Sequence, residues 1–279
     1  MKPIRLGSIR FINSLPVDLG ILTGEVPFDG EIIRDYPSSL NRALAAGEID
    51  AGPVSSLHYA ENASNLVLID GFSISSHSGV QSVLLFSRRP IADLDGKRIA
   101  LTPSGKSTPL LLKILLQQHW NVQPLYVPLD GPGFDLGNHE AALLIGDEAL
   151  VAANVPHGYP FVYDLAEEWV AWTRLPFVFA LWAVRKDFYR ENPDGVKEIE
   201  CALRMSREWG KRHMDRILDT AEQATGLSQK ILSGYFDGLR YDFEDDLVSG
   251  FSRYVECARR LGALPSDSRE EAGHARILG

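Results

Sequence analysis

Apolar and polar positions along this chain follow a repeating order: a short apolar run, a small polar loop, then a stretch with helical spacing. Residues 4–11, IRLGSIRF, lead through Asn13 and Ser14 into LPVDLGIL. EIIRDY leads through PSS into LNRALAAG, where Gly47 is a natural helix stop. IDAGPV leads through Ser55 and Ser56 into LHYAEN, KRIAL through TPSGKS into TPLLLKILLQQHW, and AALLI through Gly146 and Asp147 into EALVAANV. Alternation of strand and helix predicts an α/β protein with mostly parallel sheets and helices on both faces. Ligands of such sheets bind beyond the carboxyl ends of the strands. Here those ends carry small polar residues at helix starts, where free N–H groups and the helix dipole favour anions.

Two segments break the repeat. Residues 79–101, GVQSVLLFSRRPIADLDGKRIAL, read as a long strand, a basic turn with Pro90 and a new strand. Residues 173–187, TRLPFVFALWAVRKD, read as a second long apolar strand ending in charge. Together they bracket a middle section with its own strands and helices. The expected organisation is two lobes joined by two crossing hinge strands, lobe 1 comprising residues 1–87 and 183–279 and lobe 2 residues 88–182. The ligand cleft falls between them. After Arg185 the pattern is helical, with Asn192 before Pro193 as a cap. These helices are expected to complete lobe 1, and the polar tail from Ser266 to be loosely held.

Composition narrows the partners. The 279 residues are 45% hydrophobic and 23% charged, ordinary for a globular protein, and the net charge is −9. That balance argues against nucleic acid and anionic membranes, which attract basic faces, and leaves a small anion bound by backbone N–H groups open. No apolar run reaches membrane-spanning length. The N-terminal stretch has no signal-peptide pattern, so a cytoplasmic location is expected. Cys201 and Cys257 lie among apolar neighbours in helical patterns and are expected as buried free thiols.

The candidate chemistry lies at the helix starts. TPSGKST, residues 102–108, ends like a phosphate loop, but Ala100 stands where the first glycine is required. What survives is Ser104, Ser107 and Thr108 at a helix start, as carboxylate ligands or simple caps. Ser55 and Ser56 either cap a helix or face the cleft. Asp147 either caps its helix or touches ligand, beside Gly146. His58 reads as packed or solvated rather than catalytic. Ser82, a hydroxyl amid apolar strand residues, needs a wet side or a partner. Trp169 and Trp172 are either cleft walls for a flat ring or core. The histidines show no HxxxH or HxH spacing, there is no CxxC, and neither GxSxG nor a GxGxxG after the first strand occurs. No metal and no cofactor are expected.

Taken in order, RFINSLP, GEIDAGPVSSLHYA, GVQSVLLFSRRPIADLDGKRIALTPSGKST, AALLIGDEAL and LPFVFALWAVRKDF resemble the menaquinone-biosynthesis enzymes of the futalosine pathway, over nearly all of residues 4–190. The resemblance implies a type II periplasmic-binding-protein fold used as a cytoplasmic enzyme. GPVSS and LPFVFALWA resemble the branch that dehydrates chorismate to 3-[(1-carboxyvinyl)oxy]benzoate and water. The sibling branch, the cyclic dehypoxanthinyl futalosine lyase (1,4-dihydroxy-6-naphthoate synthase), shares the fold and is the enzymatic alternative; a solute-binding protein for a small carboxylate is the non-enzymatic one. By motif, Asn13 matches the family's active-site asparagine, Ser82 its strand serine, and Ser107 and Thr108 the helix start that holds a substrate carboxylate. Ser14, Ser55, Ser56, Ser104, Gly146, Asp147 and Trp169 complete the substrate-binding candidates. This chain has Val80 where relatives carry proline and Lys106 where arginine is common, and a lysine cannot copy a bidentate clamp. The expected partner is the small-molecule substrate, with oligomeric state open and a homodimer among the options.

Overall fold

The computed structural model describes residues 3–102, 105–129 and 139–265. Its strands form two five-stranded mixed sheets. The first contains β1 (Ile4–Ile9), β2 (Gly30–Asp35), β3 (Ala51–Ser55), β4 (Leu66–Ser76) and, from far along the chain, β10 (Phe177–Arg185), in the order β2-β1-β3-β10-β4. The second contains β5 (Val83–Ser87), β6 (Arg98–Leu101), β7 (Leu125–Pro128), β8 (Ala141–Ile145) and β9 (Phe161–Asp164), in the order β7-β6-β8-β5-β9. In each sheet four strands run in one direction, and the late or early crossing partner, β10 or β5, runs antiparallel to both its neighbours. The two sheets share one topology, with the antiparallel strand exchanged.

The sequence expectation of strand, polar loop and helix holds element by element. A 3-10 turn (Ile12–Ser14) leads into α1 (Leu15–Leu22), and α2 (Pro37–Ala46) stops at Gly47, whose φ of 72° is left-handed. Then come α3 (Ser56–Asn62), α4 (Ser107–Ile114), α5 (Gly146–Ala153) and α6 (Leu165–Thr173). The crossings are shorter than expected. They fall at residues 77–82 and 174–176, so β5 lies wholly in the second sheet and β10 wholly in the first, rather than dividing at 87/88 and 182/183. The reason at the first crossing is local: Gln81 has φ 58°, and its N–H donates to Asp164 Oδ2 at 2.6 Å. That turn delays the strand until Val83 and leaves Ser82 just ahead of it.

Beyond β10 run α7 (Lys186–Glu191), α8 (Pro193–Arg212), α9 (Met214–Thr225), α10 (Gln229–Asp237) and α11 (Asp245–Arg260). Asn192 caps α8 as its sequence implies, accepting from the Gly195 N–H at 3.1 Å. The final helix does more than complete the first lobe. A Cβ at Gly250 would lie 2.1 Å from the Pro176 carbonyl oxygen, so glycine lets α11 rest on the second crossing. From there Tyr254 Oη donates to the Ser107 carbonyl at 3.0 Å, and the Cys257 carbonyl accepts from Gln118 Nε2 at 2.8 Å, both in the second lobe. Cys257 is buried, but Cys201 sits on the exposed side of α8, correcting the expectation that both thiols are buried. The tail from Ser266 lies outside the described residues.

Candidate active site

A cavity opens where the carboxyl ends of β1, β3, β6 and β8 face each other across the two lobes. It encloses about 700 Å³ counted together with its open mouth. The starts of α2, α3, α4 and α5 all border it, through Pro37, Ser55, Ser107 and Gly146. Each helix start directs a partial positive charge toward it, in a chain that is acidic as a whole. Lys106 is the one cation among the described lining residues, and no aspartate, glutamate or histidine is among them.

Asn13, Ser55, Ser82, Ser107, Thr108 and Gly146 line this cavity together, although they are spread over more than 130 residues of chain. Asn13 lies in the 3-10 turn after β1, and its Oδ1 is shut away from water without a hydrogen-bond partner. A buried acceptor left empty is costly. Ser55 is held by Asn41 of α2: Asn41 Nδ2 donates to Ser55 Oγ at 3.1 Å, and the Ser55 N–H donates to Asn41 Oδ1 at 3.3 Å. Ser82 is held by Tyr235 of α10, whose buried hydroxyl donates to Ser82 Oγ at 3.2 Å. Burial raises the Tyr235 phenol well above its ordinary range, so it stays a neutral donor. Both serines thus accept from the protein and have their own O–H for the cavity.

The other candidates are placed elsewhere. Ser14 is fully buried, its hydroxyl donating to the Ile9 carbonyl at 3.0 Å. Ser56 is equally buried and donates to the Val178 carbonyl. Trp169 packs in the core against Phe177 and Tyr254, with Nε1 donating to the Pro176 carbonyl at 3.2 Å. None of the three reaches the cavity, because each polar atom is consumed by a backbone carbonyl of the packing behind it. Asp147 neither caps its own helix nor lines the cavity. It stands at an adjoining mouth with Arg10, Tyr36 and Glu148, and accepts from the Ile12 N–H at 3.0 Å. Burial pushes its carboxyl up to about 6, while the Ile12 N–H and Arg34 pull it down. Ser104 lies outside the described residues. His58 is half-buried beside Asn62, and burial, with the charge of Lys106, lowers its pKa.

Sequence reasoning missed Asn41 and Tyr235, which hold the two serines. Neither belongs to a strand end, and only the packing of α2 and α10 brings them near. The profile of a family described as menaquinone biosynthesis matches residues 4–260. The chain belongs to the menaquinone-biosynthesis family. Within reach of this family member is the chorismate dehydratase of Thermus thermophilus, 31% identical over 271 residues, which cover 92% of this chain and 95% of that protein. Among solved structures, a crystal structure of an Archaeoglobus fulgidus protein superposes with a TM-score of 0.73 at 22% identity, covering 94% of this chain and 98% of that one. The alkanesulfonate-binding protein of Xanthomonas axonopodis pv. citri, solved with bound MOPS, gives a TM-score of 0.67 at 18% identity, covering 95% and 96%. These likenesses show that the family member has the periplasmic-binding-protein fold. Among its described residues no helix is long and apolar enough to cross a membrane.

Proposed function

We propose that this cavity dehydrates chorismate to 3-[(1-carboxyvinyl)oxy]benzoate and water, in menaquinone biosynthesis by the futalosine route. The observation that carries the reading is a described lining that sets hydroxyls, two amides (Asn13 and Asn41), one lysine and four helix starts among apolar side chains, with no carboxylate or imidazole, in a chain similar to a chorismate dehydratase. Such a lining suits a dianion whose chemistry needs holding rather than strong acid or base.

The substrate supplies most of the driving force. Loss of the proton at C3 and of the hydroxyl at C4 leaves an aromatic ring. The C3–H electron pair becomes ring π density as the C4–O bond breaks. The substrate's own enolpyruvyl carboxylate takes the C3 proton and passes it to the departing hydroxide, which leaves as water. The protein's tasks are then to position the substrate and fix its charges. Ser107, Thr108 and the start of α4, with Lys106, hold one carboxylate; Ser55 and the start of α3 hold the other. The Asn13 amide hydrogen-bonds the C4 hydroxyl and fixes its direction, and Ser82 donates to the substrate from the crossing segment. Closure of the lobes keeps bulk water out during proton transfer.

The test is incubation with chorismate, following loss of the diene absorbance and appearance of the benzoate by chromatography and mass. Conversion with loss of one water supports the reading. Tight binding without turnover makes the protein a solute binder, the reading its fold alone favours. Inertness toward chorismate with cleavage of the cyclic futalosine substrate makes it the sibling lyase. The reading also carries a cytoplasmic setting, checked by cell fractionation; light scattering decides between a monomer and a homodimer.

A further inference from the structure

We propose that Asp147 is the positioning residue for Asn13, because side chains of the second lobe cap turns of the first across the cleft. The 3-10 turn that carries Asn13 begins after Phe11, which has no capping side chain, and α3 begins after Ser55, whose hydroxyl makes no cap bond. Their leading N–H groups are satisfied from the opposite lobe. Ile12 N–H donates to Asp147 at 3.0 Å to Oδ1 and 3.3 Å to Oδ2. Leu57 N–H donates to Ser107 Oγ at 2.9 Å. Each capped amide adjoins a cavity residue, Ile12 directly before Asn13 and Leu57 two positions after Ser55.

The contact is keyed in register. Phe11 and Ile12 of the first lobe meet Gly146 and Asp147 of the second. The edge of the Phe11 ring lies where a Gly146 Cβ would be, at 2.6–2.7 Å, so only glycine lets the ring seat and brings the next residue onto the amide. Opening the cleft parts all four residues, withdraws both caps and frees the turn that aims the amide. An N-terminal turn normally draws its cap from its own chain neighbourhood. Here the cap comes from 135 residues away, so the turn that carries Asn13 is held from the opposite lobe. This proposal rests on the reading of Asn13 as the group that orients the substrate.

Asp147→Ala and Asp147→Asn test it, by steady-state kinetics with chorismate and by amide hydrogen exchange of Ile12 in the ligand-free protein. Loss of a charge-assisted hydrogen bond predicts that Asp147→Ala loses about 10- to 100-fold in kcat with a smaller change in KM, and that the Ile12 amide exchanges faster by a similar factor. Asparagine keeps an acceptor oxygen, so Asp147→Asn recovers most of both. Wild-type kcat and unchanged Ile12 protection in Asp147→Ala overturn the proposal, as does an asparagine variant no better than alanine. If the wild-type protein leaves chorismate untouched, the proposed function falls, and Ile12 exchange alone decides whether Asp147 is a cross-cleft cap.

Discussion

Gly146→Ala separates the closed arrangement from the fold that supports it. Gly146 has φ 65°, in the left-handed region, where a side chain costs about 1–2 kcal/mol whether the lobes are open or closed. The closed state adds a second penalty. The new Cβ would stand 2.6–2.7 Å from three atoms of the Phe11 ring. That ring is not a flexible end: it is 9% exposed and packed edge-on against Tyr36 at 5.5 Å between centroids. Overpacking of this kind costs about 1–3 kcal/mol, which lowers the closed population by roughly 5- to 150-fold. The backbone penalty appears as a melting temperature lower by about 2–8 °C. The overpacking appears as a loss of kcat/KM for chorismate of the stated size in protein that circular dichroism finds folded. Trimming the ring in Gly146→Ala/Phe11→Leu restores part of the activity, since the two positions touch and their effects are not additive. Wild-type kcat/KM in Gly146→Ala refutes the claim that Phe11 and Gly146 meet in the working state.

Other outcomes follow from buried groups. Asp18 lies beneath the Asn13 turn and accepts from Ser8 Oγ at 2.7 Å; burial pushes its carboxyl up to about 6, against the pull of Ser8, Ser14 and Arg34. From about pH 4 to about pH 6 the folded chain holds a proton the unfolded chain has released, so this group's contribution falls as pH rises through that window and is level above it. A rise from 3.8 to about 6 corresponds to about 3 kcal/mol. Asp18→Asn lacks that slope, so urea melts show its stability gaining on wild type by about this amount across the window; a constant gap refutes the assignment. Ser56→Ala removes the donor to the Val178 carbonyl and costs about 1–3 kcal/mol of stability, with kcat/KM per folded molecule unchanged. Ser55→Ala leaves Asn41 Nδ2 unpaired and costs stability too, but it also raises KM about 3- to 10-fold, and a wild-type KM in this variant contradicts the placement of Ser55 on the cavity.

Much of this was legible in the sequence. The strand–loop–helix repeat located the helix starts, and six of the residues marked at those starts and in the first crossing converge on one cavity. What local pattern could not carry was partnership over distance. For Asp147 the local pattern offers a cap of its own helix or a ligand contact; its partner, the Ile12 N–H, lies 135 residues earlier. Ser14 and Ser56 look the same as Asn13 and Ser55 in a polar loop, and only the carbonyls behind them turn one of each pair inward. The positive φ of Gln81, which a non-glycine residue rarely adopts, places the first crossing ahead of Val83 rather than at the expected 87/88 division. The shared topology of the two sheets left no repeat in the sequence, since packing accepts many apolar residues at each position.

The central claim is that this cavity converts chorismate by orienting it with a neutral amide. The most direct measurement is single-turnover conversion of chorismate by wild-type protein and by Asn13→Ala, with circular dichroism to establish that the variant is folded. The account predicts benzoate and water from the wild type and a loss of about 100-fold or more in the chemical step without Asn13, the scale for removing one preorganised polar contact. Conversion by folded Asn13→Ala at the wild-type rate would contradict it.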